Sequence, residues 1–337
     1  MEVDYVGMLN GKTWVEISED FDYLRATKEF LGLKLFPMFK TENMKLAIAD
    51  FVKGADVPVM ALVHALDTEA KIGDRPDFKE INFEMLLVKE KLDQGEALRK
   101  KIRDMGMSKE ERAIIEAVYN DAANLISRVL TRFEVMACEL LSSGQVTVKE
   151  NNLNLTIDYH LPEENHIVVK DWATASHDIL GDLAKIKQAG KGRIVRAICT
   201  SKVMGYILNN TKLGSIASNQ GVYVTEDFAK SYIQNYFGIE FVVYDGTYKI
   251  GAKETTEKNF FSEDAICFLA TRGEVGKTFM TSTPEEDAGL AQYSQGYVSI
   301  YQYVASGDPV GIFTKASGLG LPVPHDVKQI YICKVNA

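Results

Sequence analysis

The run from Gly273 to Thr278, Gly-Glu-Val-Gly-Lys-Thr, is the stretch of this sequence whose residue types could bind a phosphate. A Gly-Lys-Thr turn can present backbone N–H groups and a lysine to the phosphates of a nucleotide. The phosphate-binding loop pattern also requires a glycine five positions before Gly276, where this chain has Thr271. The run therefore favours a turn between two strands. A cytoplasmic phosphate-binding enzyme stays open as a weaker alternative function.

Metal chemistry and hydrolytic chemistry lack the residue spacings that they need. None of the histidines falls in a metal-ligand pattern such as HExxH. His177 could assist a serine nucleophile, but the chain has no GxSxG motif, so we interpret Ser176 and Asp178 as residues that begin a helix. The sequence predicts no catalytic, cofactor-binding or metal-binding residue, hence no cofactor and no enzyme. The five histidines are His64, His160, His166, His177 and His325.

Two other clusters are better explained by solvation and packing. The carboxylate pairs at 163–164 and 285–286 each follow a proline in a polar, turn-like stretch, where charges are usually solvated. Four tyrosines at 293, 297, 301 and 303 could stack nucleic-acid bases. No Lys or Arg lies between residues 285 and 307 to follow a phosphate backbone. We predict that these tyrosines pack on the face of a sheet.

Composition narrows the class of protein. The 337 residues are 46% hydrophobic and 25% charged, which suits about two globular cores. A net charge of -9 argues against non-specific affinity for nucleic acid. Residues 1–12 show no signal peptide, which predicts cytoplasmic synthesis, and no apolar run approaches the ~18 residues of a membrane span. Four widely spaced cysteines in apolar surroundings predict buried free thiols: Cys138, Cys199, Cys267 and Cys333.

The first part of the chain is predicted to be an extended region. Residues 1 to about 43 carry two short apolar patches without sustained periodicity, which is typical of an arm. A long two-stranded excursion follows, and such a hairpin buries too little apolar surface to be stable alone. We therefore expect neighbouring copies to shelter the arm and the excursion. The strand-like runs are Leu46–Val52, Val57–His64 and Ile81–Val88, with a polar tip at Asp67–Lys79.

One long amphipathic helix is predicted over Ser108–Leu141. Apolar residues recur there at intervals of three and four, Ser108 with Glu111 forms a capping box, and Gly144 ends the pattern. A hairpin over Gln145–His160 follows. The chain after Trp172 is predicted to be α/β, with a break at the glycines and prolines of 318–324 before the last strand. The predicted helices are His177–Gln188, Ser201–Asn209 and Thr225–Phe237; the strands are Arg193–Cys199, Ile239–Tyr244, Ala265–Ala270, Gly296–Val304, Val310–Thr314 and Lys328–Val335.

This order of elements resembles the Hong Kong 97-type capsid fold, and the chain resembles the phage-lambda-type family called major capsid protein E. The resemblance covers nearly the whole chain. Its residue-level support is the arm motif Phe30–Pro37, the strand and turn Ile239–Tyr248, Asn259–Phe261 leading into Ala265–Ala270, and the terminal strand after Pro324.

The resemblance implies an α+β protein with four parts. It also implies hexamers and pentamers of an icosahedral shell that encloses the DNA genome of a tailed phage. Scaffold, portal and decoration proteins are the implied partners; DNA is contacted non-specifically and no membrane is involved. The chain would be assembled in the host cytoplasm and reside in the virion capsid. The parts are an N-terminal arm (1–43), an E-loop (44–93), a peripheral domain (94–174 and 292–318) and an axial domain (175–291 and 319–337).

Two points stay open at the level of sequence. An encapsulin-like nanocompartment shares the shell fold and encloses enzymes, so it is the nearest alternative. Lys71 could lie at the E-loop tip, where some relatives cross-link to an asparagine, but the lambda-type branch is not expected to cross-link and we assign Lys71 no role.

Overall fold

The computed structural model describes residues 30–42, 45–47, 82–95, 107–251, 253–291, 297–305 and 311–335. In these ranges the protein is α+β, with two five-stranded sheets on either side of one long helix. The helices are α1 (Leu31–Leu35), α2 (Met107–Ser143), α3 (Ile179–Ala189), α4 (Ser201–Leu208), α5 (Thr211–Asn219), α6 (Glu226–Phe237) and α7 (Pro284–Asp287).

The strands, numbered in chain order, fall into the two large sheets and three short pairs. They are β1 (Met38–Lys40), β2 (Lys45–Ala47), β3 (Asn82–Glu84), β4 (Leu86–Gln94), β5 (Gln145–Glu150), β6 (Leu153–Asp158), β7 (His166–Val169), β8 (Arg196–Cys199), β9 (Glu240–Val243), β10 (Thr247–Tyr248), β11 (Lys258–Asn259), β12 (Ala265–Leu269), β13 (Gly276–Thr281), β14 (Ser299–Ala305), β15 (Gly311–Pro324) and β16 (Ile330–Val335).

Helix α2 is the spine of the molecule. Its 37 residues span about 55 Å at the usual rise per residue. Buried side chains recur along one stripe, among them Leu125, Val129 and Phe133. The helix ends where Gly144 takes a positive φ of 76°, a conformation that glycine adopts without a steric penalty. The predicted long helix and its stop are confirmed.

The first sheet is organised by β15. Strands β13 and β14 pair along one edge of β15, β4 pairs along the other, and β1 adds to β13 in parallel. The predicted break at 318–324 is wrong, because β15 continues through Gly318 and Gly320. These glycines allow close approach: a Cβ at Gly320 would lie 2.3 Å from the Met280 sulfur, and one at Gly318 would lie 3.0 Å from Val129. The glycines here serve packing rather than a turn.

The second sheet has the order β7-β16-β12-β8-β9 and is covered on both faces. All five residues of β12 are buried. Ala265, Cys267 and Leu269 join the cluster around α2, whereas Ile266 and Phe268 join the cluster with helices α3, α4 and α6. This alternation is the period-2 pattern of a strand, and it places the second sheet between the spine and a helical layer.

Most predicted elements after the spine are present within a few residues. Asp178 caps α3 by accepting from the Gly181 amide at 2.9 Å, which confirms it as a helix-start residue. The predicted hairpin is β5 and β6, with positive φ at Asn151 and Asn152. Among the elements that were missed are the four-residue strand β7, the nine-residue helix α5, the four-residue helix α7, and β13, which was interpreted as part of a turn region.

The predicted domain division does not follow the sheets. Strand β15 runs unbroken across the boundary between 318 and 319, and β13, placed in the axial part, pairs with β15 in the first sheet. The physical reason is that β15 pairs both with β14, from the predicted peripheral domain, and with β13, from the predicted axial domain.

Candidate functional site

In the Gly273–Thr278 run, residues 273–275 lie in the turn between β12 and β13, and residues 276–278 begin β13, so the predicted turn covers only the first half of the run. Its backbone amides are already used by the arm. Val275 N–H donates to the Leu35 carbonyl at 2.8 Å, and Thr278 N–H donates to the Pro37 carbonyl at 3.0 Å. The Lys277 amine lies 4.6 Å above the Phe39 ring, in a cation–π contact. The run therefore holds the arm, using two of the amides that a phosphate-binding loop would present to its ligand.

The arm itself differs from the expectation that neighbours shelter it. Its described part, residues 30–42, packs on its own molecule through α1 and β1. Leu33, Leu35 and Phe36 are buried, and Phe36 is 0% exposed. The arm packs within its own chain because the apolar side chains of the Phe30–Pro37 motif fill the space beside α2 and β13. Residues 1–29 lie outside the described ranges.

Glu134 of α2 anchors the arm. Its side chain is 0% exposed, and its two oxygens accept from the amides of Gly32 and Leu33, each at 2.8 Å. These amides belong to the first turn of α1, where helical N–H groups lack partners, and the N-cap residue Phe30 has no side-chain acceptor. Glu134 thus performs the capping role from another helix.

A third donor ties the second sheet to the same carboxylate. The Tyr244 hydroxyl, just after β9, donates to Glu134 Oε1 at 2.8 Å. Burial and the nearby Glu134 carboxylate raise the pKa of Tyr244, so its hydroxyl stays a donor. Gly32 is required for this approach, since a Cβ there would lie 2.8 Å from Ala137 Cβ and from Glu134 Oε2. Arm, spine and second sheet therefore meet at one buried charge.

The base of the predicted excursion is paired within the molecule. Strands β2 and β3 pair antiparallel, as the two ends of one excursion would, and β4 pairs with nine residues of β15. Arg128 of α2 donates to the Glu90 carboxylate on β4. Residues 48–81, with the predicted tip, lie outside the described ranges. The predicted strand Ile81–Val88 corresponds to β3 and the start of β4.

Exposed aromatic side chains mark a surface on the helical layer of the second sheet. Along α6, Phe228, Tyr232 and Tyr236 stack at intervals of four residues, with ring centroids 6.2 and 5.7 Å apart. Tyr236 is 70% exposed, and Tyr223, just before α6, is 91% exposed. We call Tyr223, Phe228, Tyr232 and Tyr236 the aromatic surface. Phe228 and Tyr232 are partly buried against the second core cluster, so Tyr223 and Tyr236 are the exposed members of this surface.

The other sequence candidates have structural contacts. His177 Nε2 lies 2.7 Å from Asp182 Oδ2, which also accepts from Trp172 Nε1 at 3.2 Å. Burial raises the pKa of Asp182, but the hydrogen bonds from His177, Trp172 and Lys185 outweigh it and hold that pKa below its usual value. This cluster fixes the loop before α3.

Of the four tyrosines predicted to pack on a sheet face, Tyr301 and Tyr303 of β14 stack on the first sheet, Tyr297 packs against the first core cluster, and Tyr293 lies outside the described residues. Tyr303 stacks against Tyr301 and against Phe313, each with centroids 5.3 Å apart. Sequence reasoning missed Lys91, whose amine lies 4.6 Å above Phe313 and 3.4 Å from the Tyr303 hydroxyl. Cross-strand pairing brings it there from more than 200 positions away, which no local pattern could indicate.

The described ranges contain neither a metal-binding cluster nor a membrane-spanning helix. No three or more His, Cys, Asp or Glu side chains converge there as a metal site would need. None of the helices in these ranges is long and apolar enough to cross a bilayer. The four cysteines are buried and unpaired, as predicted.

Comparison with known proteins gave a family and a fold. The profile of the family described as phage major capsid protein E matches residues 13–335. A putative prophage capsid protein of Escherichia coli CFT073 has a similar structure, with 17% identity, a TM-score of 0.64, and coverage of 97% of this chain and 99% of that one. Because the identity is low, this likeness supports the fold alone.

Two further structures are less similar. A phage-related protein from Bordetella bronchiseptica RB50 is 11% identical over 91% of this chain and 92% of that one, with a TM-score of 0.49. A virus-like particle from Pyrococcus furiosus is 11% identical over 98% of this chain and 100% of that one, with a TM-score of 0.45. Curated proteins gave no significant match.

Proposed function

Because this chain belongs to the phage major capsid protein E family, we propose that it forms the shell of a tailed phage through contacts between its own copies, without catalysis. The family match over residues 13–335 is the observation that carries the proposal. The predicted Hong Kong 97-like fold agrees with the structure of the prophage capsid protein. Copies form hexamers and pentamers of a closed icosahedral shell.

We assign the four predicted parts to roles in that shell. The axial part, with helices α3 to α6 and the strands of the second sheet other than β7, lies around the ring axis, where a head-to-tail contact closes on rotation. The aromatic surface supports this role, because Tyr223 and Tyr236 are largely exposed in the single chain. The E-loop of residues 44–93 lies over a neighbouring copy. We move 276–281 and 319–324 to the peripheral part, since they pair in the first sheet.

Further partners follow from the same assignment. Assembly takes place in the host cytoplasm with a separate scaffold protein, portal and decoration proteins join the shell, and DNA is enclosed without specific binding. The net charge of -9 suits a wall that does not adhere to DNA. Family membership favours this reading over an encapsulin-like nanocompartment. The amides of Gly273–Thr278 that donate to the arm disfavour a phosphate-binding enzyme.

Negative-stain imaging of the purified full-length chain tests the proposal, with and without co-expressed scaffold. We expect closed shells, tubes or rings. The variant Tyr232→Asp/Tyr236→Asp should lose them, because it places two charges on the aromatic surface, while Lys191→Asp, at an exposed turn, should keep them. A monomer at every concentration, with scaffold present, would contradict shell formation. Correct shells from the chain alone would refute the separate scaffold.

A further inference from the structure

The hairpin of β5 and β6 leaves one strand with an open edge. Among the described residues these two strands pair only with each other, and the two-residue turn Asn151–Asn152 joins them. In such a hairpin the residue pair next to the turn is hydrogen-bonded, and hydrogen-bonded and non-hydrogen-bonded pairs then alternate. Thr147 and Thr156 form a non-hydrogen-bonded pair by this count, so their backbone N–H and C=O groups point away from the hairpin. The same holds for Asn154 on β6.

The spine covers the edge of β5 but not the edge of β6. The Thr147 N–H donates to Glu139 Oε2 of α2 at 3.2 Å, as expected for an amide that points outward. Within the described ranges no side chain accepts from Thr156 in the same way. Asn154 and Thr156 are both exposed. Strand β6 therefore presents backbone donors and acceptors with which another chain can pair.

The side chains of β6 do not protect this edge. Natural edge strands are usually blunted by a lysine, a proline or a bulge. Strand β6 has none of these, and its one charge is Asp158 at the end. Leu153 is 61% exposed and Leu155 is 43% exposed, and both lie on the face that continues into the buried Ile157. The apolar face of the hairpin thus extends beyond the part of the subunit that covers it.

A second copy of β6 is the partner that this strand fits. Antiparallel pairing about a two-fold axis at Leu155 places Leu155 opposite its mate and Leu153 opposite Ile157, all on the apolar face. The same register places Asn154 opposite Thr156, and their outward backbone groups then bond to each other. Strand β6 carries no charge up to Ile157, so pairing like with like meets no repulsion. A contact between identical surfaces is what a two-fold axis requires.

On the basis of the proposed shell function, we propose that β6 pairs with β6 of a subunit in the adjacent ring, joining both hairpins into one sheet. The head-to-tail contact assigned to the aromatic surface closes on itself within a ring. Rings therefore need a different contact to join one another, and an icosahedral shell has two-fold axes between its rings. The open edge of β6 supplies a contact with that symmetry.

The variant Leu155→Cys tests the pairing directly. The Cα atoms of a non-hydrogen-bonded pair lie about 4.5 Å apart, within the range that a disulfide spans. Shells assembled from this variant under reducing conditions and then oxidised should give mainly disulfide-linked dimers on a non-reducing gel. The control is Lys149→Cys on β5, which should stay monomeric because roughly 14 Å separates it from its mate across the joined sheet. The four native cysteines are buried, so their background is low.

A matched pair of variants at Thr156 tests the backbone contact. Thr156→Pro removes the outward N–H without breaking a bond of the hairpin, whereas Thr156→Ala keeps this N–H. Negative-stain imaging should show rings without closed shells for Thr156→Pro and wild-type shells for Thr156→Ala. Thermal unfolding of the unassembled chains, followed by circular dichroism, should give the same midpoint for both variants.

The outcomes separate this contact from shell formation itself. Closed shells of Leu155→Cys that stay monomeric on the gel overturn the β6 contact, and so do wild-type shells of Thr156→Pro. A lower unfolding midpoint for Thr156→Pro than for Thr156→Ala also overturns it, because the N–H is then bonded within the hairpin. A wild-type chain that forms neither rings nor shells contradicts the shell function, and the β6 contact with it.

Discussion

Replacing Glu134 by alanine tests whether the buried carboxylate joins the arm, the spine and the second sheet. The change removes the acceptor of two buried amides, those of Gly32 and Leu33, and of the part-buried Tyr244 hydroxyl. An unsatisfied buried donor costs about 1–3 kcal/mol, which gives roughly 2–6 kcal/mol for the two amides, and the part-buried hydroxyl adds less. Removing the carboxylate also removes the desolvation cost of a buried charge, which offsets part of that loss. We expect a net loss of about 3–5 kcal/mol in the free energy of unfolding.

Milder changes at the same junction should give a graded series. In Glu134→Gln the amide oxygen still accepts one backbone N–H, but the NH₂ group faces the other, so we expect a loss of about 2–3 kcal/mol. Tyr244→Phe removes one donor and leaves Glu134 with both backbone partners, for a loss of about 1 kcal/mol. The control is Glu150→Ala, which breaks an exposed ion pair with Arg132 and should cost less than about 1 kcal/mol.

Urea unfolding of the unassembled chain, followed by circular dichroism, gives the free energies. Hydrogen exchange of the amides from 31 to 36 gives the local effect. These amides should exchange faster in Glu134→Ala and not in Glu150→Ala. A Glu134→Ala variant within about 1 kcal/mol of the control, or unchanged exchange in α1, would refute the reasoning.

Two further predictions concern packing and the thiols. Gly276→Ala should destabilise the protein by about 3 kcal/mol in urea unfolding, because its Cβ would lie 2.1 Å from the Val323 carbonyl oxygen, whereas Gly273→Ala meets only Thr271 at 3.9 Å and should be near neutral. Equal stability of the two variants would contradict this. Burial raises the pKa of Cys199 and of Cys333 to about 12 from 9.0, so each contributes stability that is complete below pH 9 and is lost between pH 9 and about 12. Each thiol should remove on the order of 1 kcal/mol by pH 10, and a Cys199→Ala variant with an undiminished loss between pH 8 and pH 10 would contradict the assignment.

Sequence patterns predicted the elements whose stability is local. The long helix carries its own cap and stop signals, and the hairpin at Asn151 and Asn152 carries its own turn residues. The glycines led to a wrong prediction where tertiary packing, and not local backbone preference, determines the structure. The break predicted near Gly318 and Gly320 is the middle of a strand, because these glycines make room for α2 and Met280. Local rules assign such residues to turns, and only the packed neighbours show otherwise.

The junction at Glu134 was not predictable for a different reason. Its partners lie about 100 positions before it and 110 after it, and each contact alone is one hydrogen bond. A glutamate in a helical stripe reads as a solvated charge. The arm motif Phe30–Pro37 did indicate family membership, but its apolar character was read as a need for neighbouring copies. In the structure the described arm satisfies that need within its own chain.

Because the described arm packs within its own chain, it limits which parts of the subunit can differ between pentamers and hexamers. Subunits in a pentamer and in a hexamer differ by about 12° in rotation about the ring axis. One hydrophobic cluster runs from Leu33 of the arm through α2 to Ala316 of the first sheet and Ile332 of the second. Close-packed interiors of this kind do not deform continuously, and the buried carboxylate further fixes the arm against the spine. We therefore expect the rotation to be absorbed outside this body, at the surfaces that meet neighbouring copies. Conservative variants of the aromatic surface that still assemble, such as Tyr236→Phe, should therefore alter the ratio of pentamers to hexamers, visible as a change in particle diameter, whereas variants at Glu134 should reduce the yield of particles without changing their size.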